Sequence, residues 1–259
     1  MATITSVSNQ RVKYVRTLSR RQARHDEGCF VVEGKRLVAD ALRAGARLRM
    51  AFYTEDATDV ELLDRLRAAT PDSFAVTPAV MGALSDTVTP QGIVAVAEFP
   101  QWPQPGAPSR IGLILDQWRD PGNLGTAFRA SEAAGVDWVI LTPGTVDPFS
   151  PKVVRAGVGA HFRLPVFVDW KWDDILRALK SVPLYLADAR AAVTYDQMDW
   201  THPSALIVGG EAFGPGDEAR RAGAVEIAVP MEGGAESLNA AVAASVILME
   251  ASRQRRRRR

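Results

Sequence analysis

The stretch from Ile227 to Ala243, IAVPMEGGAESLNAAVA, constrains the fold more tightly than any other part of the chain. A short apolar strand (Val225 to Val229) runs into Pro230, which has no N–H with which to continue a ladder. Gly233-Gly234 then allows a tight turn, and Ser237-Leu238-Asn239 precedes an alanine-rich run. Ser or Asn ahead of such a run marks a helix N-terminus, so several unpaired N–H groups face the loop. A loop of this kind can wrap a small polar ligand with backbone groups, although a well-capped strand–turn–helix is also an ordinary structural element. Two further stretches carry the same punctuation: DQWRDPGNLGTAFR from Asp116 to Arg129, and LIVGGEAFGPG from Leu206 to Gly216. Three strand-ending Gly/Pro loops that lead into helices describe the ligand crevice of an α/β sheet.

The alternation of strands and helices extends along the whole chain. Val12, Val15 and Leu18 recur at helical spacing in a basic opening segment. Strands are predicted at Cys29–Val32, Leu48–Tyr53, Phe74–Val76 and Gly92–Phe99, with helices at Lys35–Ala44 and Val60–Ala69 between them. Residues 100–109, PQWPQPGAPS, hold four prolines and a glycine, form neither helix nor inner strand, and read as a semi-rigid linker. Beyond it, strands are predicted at Ile111–Leu115, Trp138–Leu141, Pro165–Val168, Leu184–Ala187, Ala205–Val208 and Val225–Val229. The intervening helices are Asn123–Ala134, one starting at Lys152, Asp173–Lys180, and a final one at Ala240–Arg253. Continuous apolar strands imply a mostly parallel sheet covered on both faces. The division is therefore a smaller α/β domain over residues 1–99, the linker 100–109, and a second domain over 110–259.

The second domain resembles the SpoU (TrmH-like) family of RNA 2′-O-ribose methyltransferases, within the SPOUT class. The family's first motif appears as Asn123-Leu124-Gly125 through Arg129, and its second as Gly209-Gly210-Glu211 with Gly214. Its third appears as Pro230-Met231 followed by Ser237-Leu238-Asn239. The resemblance implies S-adenosylmethionine as cofactor, a deep C-terminal trefoil knot and a homodimer. It also implies catalytic roles for Arg129, Asn123, Glu211, Ser237 and Asn239. Thr142, Gly209, Gly210, Val229, Met231 and Leu238 match positions that line the cofactor pocket. Two departures bear on loop shape: Ala212-Phe213 stands where the family usually has a glycine after the glutamate, and Ala240-Ala241 where valine follows the asparagine. Residues 1–99 resemble the small substrate-binding domain often fused ahead of such methyltransferases, which is similar to certain ribosomal RNA-binding proteins.

Read as chemistry, several of these residues also have plainer uses. Asn123, Ser237 and Asn239 can be helix caps, Arg129 can be an ion pair on a helix, and Glu211 can hold Arg129 or a ligand hydroxyl. An arginine is a poor base, because its pKa lies above ~12, so an orienting or electrostatic role suits Arg129 better. No G-x-G-x-x-G follows a strand, which argues against a dinucleotide site.

Charge points to a polyanionic partner. Arg11, Lys13, Arg16, Arg20, Arg21 and Arg24 stand without an acid in residues 1–24, and six of the last seven residues are arginines. Subtracting those twelve charges from the net +1 leaves −11 on the body between. Basic ends on an acidic body suit a phosphate backbone; the bland alternative is a pair of solvated ends. One cysteine, Cys29, excludes an intrachain disulfide framework, and His25, His161 and His202 lack metal-ligand spacing, so no metal is expected. No apolar run reaches the ~18 residues of a membrane span and no signal peptide pattern opens the chain, which leads to the expectation of a soluble, cytoplasmic protein. The sequence thus supports methylation of RNA, with ribosomal RNA favoured by the first domain. A tRNA substrate, or a non-catalytic RNA-binding protein of the same fold, are the alternatives.

Overall fold

The structure is a computed structural model that describes residues 3–56, 59–211 and 214–258. The Ala212-Phe213 departure lies outside the described residues. The chain divides into two compact units, residues 1–101 with 149–162, and residues 102–148 with 163–259. Residues 149–162 thus join the first unit although they follow the Pro-rich segment in sequence.

The first unit opens with helices α1 (Gln10–Thr17) and α2 (Arg21–Glu27), then strand β1 (Cys29–Glu33), α3 (Lys35–Arg43), β2 (Leu48–Tyr53), α4 (Val60–Ala69), β3 (Ser73–Ala75), α5 (Pro78–Leu84) and β4 (Ile93–Glu98). The sheet order is β1-β4-β2-β3; β4 runs antiparallel to both neighbours, and β3 lies parallel to β2. Val12, Val15 and Leu18, at 0%, 2% and 0% exposure, pack with Phe52, Val94 and Val96. The opening segment is therefore core as well as charge, with its apolar stripe buried as an amphipathic helix requires. Helix α7 (Pro151–Gly157) and a short 3-10 turn (Ala160–Phe162) complete this unit, with Phe162 stacked on Phe30 of β1 at 5.8 Å.

The second unit carries β5 (Ile111–Asp116), α6 (Pro121–Ala134), β6 (Trp138–Leu141), β7 (Val166–Phe167), α8 (Trp172–Ala178), β8 (Leu184–Ala187), β9 (Ser204–Gly209), α9 (Asp217–Arg220), β10 (Val225–Ile227) and α10 (Ala240–Arg257). Its six strands run in the order β10-β8-β9-β5-β6-β7, and every pairing is parallel. All six residues of β5 and of β9 are buried, as strands covered on both faces must be. One face packs Ile114, Ile140 and Ile207 against Trp172 and Ile175 of α8. Helices α6 and α10 pack together.

Three local details differ from the sequence expectation. Helix α6 begins at Pro121 and is capped by Asp120, whose side chain accepts from the Asn123 N–H, so Asn123 sits inside the first turn. Asp-Pro is a strong start signal, since proline at the first helical position loses no needed donor. Strand β10 ends at Ile227, ahead of Pro230, and α10 continues to Arg257 through its arginine run.

Candidate active site

In a parallel sheet the residues just past the strand ends form a row, and register aligns the ends of β8, β9 and β5 here. Ala187 pairs with Val208, Val208 with Leu115, and Gly209 with Asp116. At this edge a cavity of about 460 Å³ opens in the second unit. Its apolar lining includes Val208, Ile227, Val229, Met231, Leu238 and Ala243, and its polar lining includes Asp188, Arg190, Glu211, Ser237 and Asn239. Gly209 and Gly210 form part of its wall.

The glycines there are required by close backbone approach. A Cβ on Gly209 would stand 2.1 Å from the Pro215 nitrogen, and one on Gly210 would stand 2.7 Å from the Gln117 carbonyl oxygen. Gln117 itself holds a left-handed φ of 56°, a conformation that costs ordinary residues energy and collects at working sites. The Gln117 N–H is retained by Thr142 Oγ1 at 3.0 Å.

One side-chain chain links the three sequence motifs. Asn123 Nδ2 donates to Glu211 Oε1 at 2.8 Å, and Asn239 Nδ2 donates to Asn123 Oδ1 at 3.2 Å. Asn239 also caps α10, its Oδ1 accepting from the N–H groups of Ala241 (2.9 Å) and Val242 (3.3 Å). Capping and site assembly therefore share one amide. Ser237 is exposed and lines the cavity beside it. Asn239→Ala is expected to cost about 1–2 kcal/mol of stability from the lost cap, and to release Asn123 as well. Asn239→Asp keeps the cap but turns the donated bond into a contact between two oxygens at Asn123 Oδ1. Chemical denaturation of both variants checks this: equal losses would mean that the cap contributes nothing.

Two expected site residues stand elsewhere. Thr142, at 1% exposure, lies outside the cavity lining and donates to the Asp116 carboxylate at 2.8 Å. Arg129 lies on the same helix as Asn123, exposed, and its side chain has no hydrogen bond or ion pair with any described residue. It is neither an ordinary ion pair nor held by Glu211, whose bonded partner is Asn123.

Two acids were not singled out by sequence. Asp116, fully buried, accepts from Thr142 Oγ1, from Trp172 Nε1 (3.2 Å) and from the Gly216 N–H (2.8 Å), and so ties three strand-end loops together. Asp188 follows β8 directly and lines the cavity; it accepts from the Arg190 N–H at 2.9 Å and from Arg220 Nη1 at 2.8 Å. Burial pushes its carboxyl up, but the Arg190 N–H and the two guanidinium groups outweigh burial and hold it below the usual carboxylate range. The available signal was an acid at the end of each apolar strand, on the row already occupied by Gly209.

The cavity suits S-adenosylmethionine by the chemistry of its lining. Its size falls within the range of small-molecule sites, ~300–1,000 Å³. An apolar wall of Val229, Met231 and Leu238 fits the flat face of adenine, and the Asp188–arginine cluster meets the charges of an amino-acid end.

Comparison with known proteins agrees with this geometry. The SpoU rRNA methylase family matches residues 110–249, and the MRM3-like substrate binding domain matches residues 9–95. The chain is 33% identical to the 23S rRNA (guanosine(2553)-2′-O)-methyltransferase of Bacillus subtilis, over 96% of this chain and 98% of that protein. It is 34% identical to an uncharacterized tRNA/rRNA methyltransferase of Synechocystis, over 98% and 94% of the two chains. The crystal structure of an AdoMet-bound rRNA methyltransferase from Sinorhizobium meliloti superimposes with a TM-score of 0.87 at 30% identity, covering 97% of both chains. With its three motifs joined at one strand-end cavity, the chain belongs to the SpoU rRNA methylase family.

Proposed function

We propose that the protein transfers a methyl group from S-adenosylmethionine to the 2′-hydroxyl of a ribose in RNA, with ribosomal RNA as the substrate. The observation that carries this reading is the Glu211–Asn123–Asn239 chain, which joins one polar residue from each motif, two of them lining a cavity of small-molecule size with both apolar and charged walls. When bound, the cofactor supplies an electrophilic methyl on a positively charged sulfur. The ribose oxygen forms the new C–O bond as the S–C bond breaks, and its proton leaves for solvent or a nearby carboxylate. A ribose hydroxyl is a very weak acid, so proton loss accompanies attack.

The chain's own residues act in this step by position. Glu211 keeps one oxygen for Asn123 and has the other to accept from a ribose hydroxyl. Arg129, exposed and without a bonded partner among the described residues, offers a fixed fork of donors to an oxygen that gains negative charge. Ser237 and Asn239 set the rim of the cavity; Gly209, Gly210, Val229, Met231 and Leu238 hold the cofactor, and Thr142 supports the wall through Asp116. In this reading the protein works as a cytoplasmic homodimer whose C-terminal segment threads a trefoil knot, both by likeness to the family. Among the described residues no helix is long and apolar enough to cross a membrane.

The test is methyl transfer from radiolabelled S-adenosylmethionine to ribosomal RNA, with alkaline-resistant linkages reporting the 2′-O product. No incorporation into ribosomal RNA, alongside incorporation into tRNA, would move the substrate to the alternative class. Basic ends add a second expectation. Removing the C-terminal arginines is expected to flatten the dependence of log K on log salt by ~0.7 for each single-strand phosphate they neutralise. An unchanged slope would mean that those arginines serve contacts within the protein, such as Arg253 on Glu250 and Arg255 on the Arg110 carbonyl, and not phosphate.

A further inference from the structure

We propose that the first unit carries a separate pocket for one unstacked RNA nucleotide, formed where α1, α5 and α7 meet beside β1. This inference rests on the RNA reading above and names how the RNA is held. The pocket encloses about 420 Å³ and lies entirely within the first compact unit. Its floor is aliphatic: Val15, Leu84 and Val154 are at most 7% exposed, and Val31, Ala83 and Pro151 continue it. Among the described residues no aromatic ring lines it.

Its rim is cationic in a specific way. Lys13, Arg16 and Arg20 line the opening, all exposed, and the side chain of none of them has a hydrogen bond or ion pair with a described residue. The two acids in the lining are already engaged. Glu33 accepts from Ser85 Oγ, from Thr87 Oγ1 at 2.7 Å and from the Asp86 N–H at 3.1 Å, and Asp86 is paired with Arg155 at 2.7 Å. Three uncommitted cations thus stand around an apolar hollow whose carboxylates are spent. Lys13 and Arg16 lie three residues apart on α1, and Arg20 follows at the start of α2.

An apolar hollow with unspent cations along one lip fits a flat base inside and a phosphodiester outside. Sequence-selective RNA contacts favour such splayed bases, because a duplex hides their edges. Part of the wall, Pro151, Val154 and Arg155, comes from α7 and lies beyond the 9–95 match to the substrate binding domain. The pocket is therefore a property of the assembled unit and not of the N-terminal segment alone.

The experiment uses the full chain and a short single-stranded RNA carrying one 2-aminopurine. Stacking in the free strand quenches this base, and an aliphatic pocket without aromatic rings relieves the quenching. Binding is expected to raise emission. Ala83→Phe and Ser19→Phe, two independent fillings of the hollow, are each expected to abolish the rise and weaken binding about tenfold, the effect of keeping roughly 55 Å² of base surface out of an apolar contact. Lys13→Ala with Arg16→Ala is expected to flatten the salt slope by ~0.7 for each phosphate these residues neutralise. Thermal midpoints confirm that the variants fold, and two fillings guard against one failing. If both filled variants bind with unchanged affinity and emission, the pocket holds no base and the proposal is overturned. It is equally overturned if adenosine monophosphate, at the concentration at which the RNA binds, displaces the RNA and abolishes the emission rise, since the site would then take a free nucleotide. Methyl transfer to ribosomal RNA without an emission rise would sink the pocket and keep the enzyme reading. An emission rise without methyl transfer would do the reverse.

Discussion

Arg129→Ala is expected to keep its fold and its affinity for S-adenosylmethionine while losing methyl transfer by ~10²–10³-fold, the usual contribution of one donor at a developing oxyanion. The residue is exposed on α6, makes no hydrogen bond or ion pair with a described residue, and stands outside the cavity lining, so its removal orphans no described group and opens no hole. A structural role would require partners, and the described residues around it supply none. What remains is a guanidinium presented from the helix whose first turn holds Asn123. Arg129→Lys is expected to recover only part of the loss, because an ammonium carries the charge without the planar fork. Single-turnover transfer at saturating RNA and cofactor separates chemistry from binding. Turnover in Arg129→Ala close to that of the unaltered protein would remove the residue from the reaction.

In the candidate site, the Gly/Pro frames at strand ends mark the three loops, and the family resemblance picks out Asn123, Glu211, Ser237 and Asn239 within them; the structure brings three of these into one hydrogen-bonded chain. What escapes is set by tertiary packing. Asp116 reads as the tail of an apolar strand, and only the return of the 214–216 loop puts the Gly216 N–H 2.8 Å from its carboxylate, a hundred residues away. Asp188 is hidden for the same reason: its neighbours Gly209 and Asp116 are defined by sheet order, β8-β9-β5, which strand prediction does not supply. The cap of α6 lies three residues before the expected one because both Asp120 and Asn123 are good caps, and the proline between them decides for Asp120. Helix α5, Pro78–Leu84, carries Gly82 in its middle and has no counterpart among the predicted elements, yet Thr77 caps it and Val80, Met81 and Leu84 are buried. The parallel sheet is readable from uninterrupted apolar strands, because burial on both faces leaves no polar alternation to mislead. No local pattern places residues 149–162 in the first unit, since that packing joins segments far apart in sequence.

Asp116→Ala is expected to be the most destabilising single change at the site. Its carboxylate is completely buried and accepts three hydrogen bonds, from the Thr142 hydroxyl, the Trp172 indole and the Gly216 N–H. Alanine leaves three donors facing a cavity, and each unsatisfied buried group costs about 1–3 kcal/mol, so the total reaches at least ~3 kcal/mol. The loss is not confined to stability. Gly216 follows Gly214 and Pro215, which line the cofactor cavity, and freeing that loop from Asp116 removes the close packing that obliges residue 209 to be glycine. Weaker cofactor binding should therefore accompany the lower stability. Asp116→Asn separates shape from charge: its carbonyl oxygen still accepts from Thr142 and Trp172, while its amide meets the Gly216 N–H donor to donor. That variant should lose about 1–3 kcal/mol and show the cofactor defect with a nearly intact fold. Urea denaturation and calorimetric titration with S-adenosylmethionine measure the two effects. If Asp116→Ala unfolds within ~0.5 kcal/mol of the unaltered protein, the range of an uninvolved surface position, the carboxylate is not what ties these loops together.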